Sequence, residues 1–125
     1  DEWRTRHRAQ AEWVKTIVEM NIPLNADGVI VMAHAKPTED HTSFFDPLRR
    51  LVRDDLANNV PFLYLHGDGH SWVYSRGFLN QPNLLKIQHE GGVRDPILKI
   101  LSDPHQLGPD VHSAFQYDRQ LDLER

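Results

Sequence analysis

Pro61-Phe62-Leu63-Tyr64-Leu65-His66-Gly67-Asp68-Gly69-His70-Ser71-Trp72 is the stretch on which the reading of this chain turns. Phe62 to Leu65 is a short, continuous apolar run, the pattern of a sheet strand covered on both faces. It leads directly into His66, Asp68 and His70, separated by glycines. Glycine lets a backbone turn sharply and approach a ligand closely, so Asp68 and His70 are expected at the carboxyl edge of a sheet, where open α/β folds bind ligands. Asp-Gly is also a hairpin signal, and taken alone the stretch supports a tight turn equally well. A second run, Gly28 to Ala35, ends the same way: Val29-Ile30-Val31-Met32 precedes His34. Two buried strands would then bring His34, Asp68 and His70 to one edge. Their nitrogen and oxygen donors suit a divalent metal such as Mn, Fe or Zn. His66 stands one residue before the turn and is expected to orient a ligand by an outer hydrogen bond. Lys36 and His41, in the polar loop after His34, are candidates to touch a phosphate, against the plain alternative of an exposed loop.

The rest of the chain supplies cover for these strands. Between Glu2 and Met20, Trp3, Ala11, Trp13, Val14, Ile17 and Val18 recur at helical spacing, and both tryptophans are expected to pack on the sheet. Asp46-Pro47 reads as the start of a second helix, with Leu48, Leu51, Val52 and Leu56 as its apolar stripe. Runs at Ser71–Ser75, Leu84–His89, Ile97–Leu101 and Ala114–Tyr117 predict short strands forming an antiparallel edge. The order implies an α/β fold: a mixed sheet with covering helices.

A chain of 125 residues suits one domain with a modest core. With 39% hydrophobic and 26% charged residues it falls among ordinary globular proteins. Its net charge of -4 and the lack of a basic stripe argue against nucleic acid as a direct partner. No apolar run approaches the roughly 18 residues of a membrane span. The absence of cysteine removes disulfides and thiolate ligands and leaves the redox compartment open.

The order strand-His34, helix, strand-Gly67-Asp68-Gly69-His70 resembles the C-terminal half of the calcineurin-like metallophosphoesterases. In that family one histidine follows a strand, and a later Gly-His-x-His supplies two further ligands to a two-metal centre. Asp68 stands here where the usual histidine would. The His66-Gly67-Asp68-Gly69-His70 variant followed by the aromatic run Ser71-Trp72-Val73-Tyr74 is similar to some members. The resemblance spans about Trp3 to Asp103 and implies half of a four-layer αββα sandwich. Across 1-125 it implies a single partial domain that uses a divalent metal to activate water for attack on a phosphoester. The family's N-terminal motifs, Asp-x-His, Gly-Asp and Gly-Asn-His, do not stand ahead of His34, and Gly-Asn-His occurs nowhere in the chain. The implied partner is therefore a missing N-terminal half or another protein chain in a larger assembly, without which the chain is expected to be inactive.

Other readings are weaker. Asp103-Pro104-His105 mimics the opening Asp-x-His but stands in the wrong order and reads as a turn. An α/β-hydrolase would need Gly-x-Ser-x-Gly, which no serine satisfies. A cupin would need a paired His-x-His with a following glutamate. The rival from a different class is a non-catalytic accessory or scaffold subunit that keeps this fold.

Overall fold

The computed structural model describes residues 2–91, 97–103 and 114–120. Its centre is β2, Phe62–His66, which pairs in parallel with β1, Val29–Met32, on one side and with β4, Leu84–Gln88, on the other. The strand β3, Val73–Arg76, pairs antiparallel to β4 at the far edge, so the sheet order is β1-β2-β4-β3. Two further strands, β5, Lys99–Ser102, and β6, Phe115–Asp118, form a separate antiparallel pair. The chain is thus α/β with a mixed sheet.

Alternation along β2 divides the core into two clusters. Phe62 and Tyr64 face Leu84 and the helices, packing with Val18, Phe45, Leu48, Leu51 and Val52. Leu63, with Leu85 and Ile87 of β4, faces the other way onto Ala114 and Phe115, with Leu98 and Ile100 alongside. Phe62, Leu63, Leu85, Ile87 and Val52 are fully buried. Each such side chain contributes about 1.5–3 kcal/mol relative to exposure.

The first helix, α1, runs over Glu2–Asn21, close to its expected span. The tryptophans do not form its inner face. Ala11 and Val18 are buried, whereas Trp13 is 67% and Trp3 41% exposed. The positions facing the second helix and the sheet are spaced 11, 14 and 18, and residues of that size let α1 approach closely; Trp13, Ile17 and Met20 lie on its flank.

The second helix, α2, spans Thr42–Arg53 and begins before Asp46-Pro47, with Pro47 inside it. Proline there forfeits one bond, to the Ser43 carbonyl. The compensation is Phe45, buried with its ring 5.3 Å from Tyr64 and 5.7 Å from Phe78. Burying that ring draws the preceding turn into the helix.

β4 also departs from expectation, since it runs parallel to β2. The chain first places β3 at the edge and then returns through Gly77 to Asn83 to fill the gap. That return turns at Gly77, Leu79 and Asn80, all with positive φ. Asn83, itself buried, ties the return down: its side-chain amide donates to the carbonyls of Val52, Ala57 and Val60 at 3.2, 3.3 and 3.0 Å.

At the opposite edge, the amides of Val29 and Ala33 donate to Pro61 and Leu65 at 3.0 and 2.9 Å. By alternation, the backbone groups of Ile30 and Met32 point away from β2. Their side chains are 44% and 76% exposed on the face opposite the helices. Beside this edge a groove of about 700 Å³ lies between β1 and α1, lined by Trp13, Ile17, Ile30 and Met32 and, toward the carboxyl end, by His34 and His41. Among the described residues no helix is long and apolar enough to cross a membrane.

Candidate functional site

Because β1, β2 and β4 are parallel, the segments that follow them emerge at one edge: His34 to Lys36, Gly67 to His70, and His89 to Glu90. The structure brings His34 and Asp68 together there, with Nε2 and Oδ1 3.9 Å apart and both side chains open to solvent. The Lys36 amide donates to the other Asp68 oxygen at 3.4 Å, which ties the two loops across the edge. His70 does not join them. Among the described residues no group of three or more His, Asp or Glu side chains could hold a metal ion. The described residues therefore present two donors and not a complete metal site.

The glycines act differently from their expected role. Asp68 and His70 themselves take the left-handed conformation, at φ 67 and 56, while Gly67 and Gly69 do not. Asp and His tolerate that region better than most residues, and such strain concentrates at functional sites. Gly69 is required for space: a Cβ there would lie 1.9 Å from the Gln88 side-chain nitrogen. Gln88 is buried and donates to the Ser71 carbonyl at 2.9 Å, so it holds the outgoing end of the turn.

His66 ends β2 on the helix face and is only 2% exposed. Its Nδ1 lies 2.7 Å from the Gly67 carbonyl, and since a carbonyl only accepts, Nδ1 carries the proton. Nε2 is then an acceptor, and it is buried with no hydrogen-bond partner among the described residues. Burial lowers the His66 pKa, and Lys86 and Lys36 add to the effect; the Gly67 carbonyl and Asp68 act in the opposite direction. Burial likewise lowers Lys86, assisted by Lys36. Tyr64, pushed up to about 12 by burial, stays neutral beside them.

His41 packs in the corner between the helices, its ring 5.4 Å from His7 and 6.5 Å from Phe45, and reaches the edge only as part of the groove wall. At the end of β4, Glu90 pairs with Arg119, which stacks over Trp72 at 4.4 Å. Burial tends to raise the Glu90 pKa, but its own amide, Arg119 and His89 together hold it below the ordinary carboxylate value. Lys86 was not among the sequence candidates. Its signal was a lysine in the middle of the apolar run Leu84-Leu85-Lys86-Ile87. The Asp103-Pro104-His105 turn lies outside the described residues from Pro104 onward. No protein-family model matches the chain, and neither a curated protein nor a solved structure is similar to it.

Proposed function

We propose that this chain is the C-terminal part of a metal-dependent phosphoester hydrolase of the calcineurin-like type. The reading is carried by the His34–Asp68 pair, two metal-type donors 3.9 Å apart just beyond the ends of adjacent parallel strands. A divalent ion bound there would supply an activated water and stabilise the leaving oxygen of a phosphoester. This chain's part is to hold two donors in register, with the Lys36 amide fixing the Asp68 carboxylate. The remaining ligands and the proton donor to the leaving group come from another segment or another chain. Leaving-group protonation is commonly worth about 10²–10⁴-fold in rate, so the chain by itself turns over negligibly.

Calorimetric titration of the 125-residue chain with Mn²⁺ tests this reading. One weak site is expected, lost in His34→Ala and in Asp68→Asn, with no turnover of an aryl phosphodiester. Binding unchanged by either substitution would remove the metal reading. Turnover abolished by His70→Ala would show that the chain is active unaided.

A second reading, a non-catalytic subunit of a larger assembly, is favoured by the apolar edge. Ile30, Met32, Trp13 and Ile17 are all more than 40% exposed around one groove. Soluble monomers rarely leave such contiguous surface open. Both readings require a partner at β1, and metal binding at His34 separates them.

A further inference from the structure

Edge strands are ordinarily kept from pairing by a charge, a proline or a bulge. β1 has none of these: Gly28 to Ala33 reads Gly-Val-Ile-Val-Met-Ala, and its register with β2 is unbroken. The amides of Val29 and Ala33 are taken by β2, so the N–H and C=O groups of Ile30 and Met32 face outward. Among the described residues no strand pairs with them. An occupant that satisfies these groups is an extended segment. It must also be apolar on both alternating faces, because Ile30 and Met32 stand exposed on one side of the sheet and Trp13 and Ile17 on the other. β1 itself meets that description, with Val29 and Val31 on the helix face and Ile30 and Met32 opposite.

Charge fixes the direction. Asp27 precedes the strand and Lys36 follows it; both are exposed, and among the described residues neither has an ion-pair partner. Asp68, the acid beside Lys36, is engaged by His34 and the Lys36 amide. Antiparallel pairing of two copies brings Asp27 of each to the Lys36 end of the other, whereas parallel pairing sets like ends together. A two-fold axis normal to the sheet gives the antiparallel pairing and keeps the helices of both copies on one face. The outward groups also restrict the register. Centred on Val31, it sets Ile30 opposite Met32 of the second copy and the reverse, each pair exchanging both backbone hydrogen bonds. Centred on Ile30 it would set Met32 against Gly28, and centred on Met32 it would set Ile30 against His34.

We propose that a second copy of this chain docks on β1, its own β1 running antiparallel about a two-fold axis at Val31, so that the two sheets become one. The proposal rests on the reading that β1 takes a partner, and it names that partner.

The chain has no cysteine, so a single Val31→Cys substitution places two thiols across the axis. They form a non-hydrogen-bonded pair with Cα atoms roughly 4.5 Å apart, within disulfide range. Under mild oxidation Val31→Cys is expected to cross-link almost fully to a dimer. Leu24→Cys, highly exposed but off the edge, should cross-link only slightly. Light scattering of the wild type at micromolar concentration should give twice the chain mass. Asp27→Lys and Lys36→Asp should each raise the dimer Kd about tenfold, through two symmetry-related pairs, and the double exchange should restore it. Both side chains are exposed, so these exchanges leave the fold intact. Equal cross-linking of the two cysteine variants overturns edge pairing. A dimer in which Val31→Cys does not cross-link overturns the register, and a double exchange that restores nothing overturns the direction. A wild-type monomer overturns the second copy as partner. If that monomer binds a hydrophobic dye, the reading that β1 takes a partner stands with a different chain; if it binds none, that reading falls as well.

Discussion

At the level of single residues, Gly67 and Gly69 flank Asp68 but meet different surroundings. A Cβ on Gly67 meets only His34, its ring nitrogen at 3.8 Å and its carbonyl oxygen at 4.0 Å, both ordinary contacts, and neither glycine has positive φ. Gly69→Ala must displace the buried Gln88 amide from Ser71, and loss of about 1–2 kcal/mol of stability is expected in urea unfolding. Gly67→Ala should change stability by no more than about 0.5 kcal/mol. Equal effects would mean that space at Gln88 does not hold the turn. His66 supplies a second residue-scale prediction. Its pKa is lower folded than unfolded, so the unfolded chain binds the extra proton. The stability that depends on neutral His66 is therefore present above the unfolded value of about 6.5 and declines as pH falls through it toward the lower folded value. Glu90, also lowered, acts in a separate and more acid window, below about 4.3. Urea midpoints measured from neutral pH down to about pH 5 should fall in the wild type and flatten in His66→Gln. An identical slope in both proteins would assign the effect elsewhere.

At the level of elements, the return from β3 to β4 depends on one amide. Asn83 serves three carbonyls from the end of α2 and the following turn, and all of these groups lie at the base of the sheet. Asn83→Ala takes the side-chain donor from the carbonyls of Val52 and Val60, while that of Ala57 keeps the Val60 amide at 3.0 Å, and should cost about 1–3 kcal/mol. Circular dichroism melts would detect it. A loss well under ~1 kcal/mol would mean that water replaces the amide. The insertion of β4 between β2 and β3 was not legible in the sequence. Leu84-Leu85-Lys86-Ile87-Gln88 carries the apolar content of a strand, but strand direction depends on where the chain returns. That path is set by Gly77, Leu79, Asn80 and Asn83, which read locally only as a turn.

Across the whole molecule, the two faces of the sheet are covered unequally. The helices cover one, and Phe115 with its neighbours covers β2 and β4 on the other, but among the described residues Ile30 and Met32 of β1 remain open beside an unpaired edge. An open strand edge next to apolar surface is a site of pairing with another chain. The chain should therefore scatter light as more than a monomer at micromolar concentration and bind a hydrophobic dye. Both signals should fall in the double variant Ile30→Thr, Met32→Lys, since a charge on the edge blocks strand addition. A monomer that unfolds cooperatively and binds no dye would count against a partner at β1.

The sequence by itself determined the α/β class, the extent of α1, the two parallel strands at Val29 and Phe62, and the edge at which His34 and Asp68 meet. Each follows from local periodicity or from a continuous apolar run, which neighbouring residues suffice to specify. Only the tertiary structure decided that His70 does not join His34 and Asp68, that Trp13 faces outward, that α2 begins at Thr42, and that Lys86 shares a sheet face with Tyr64 and His66. Those outcomes depend on contacts between residues far apart in the chain: Phe45 on Tyr64, Gln88 against Gly69, and Lys86 opposite Tyr64. Local pattern specifies which face of an element is apolar, whereas packing selects the partner that face meets.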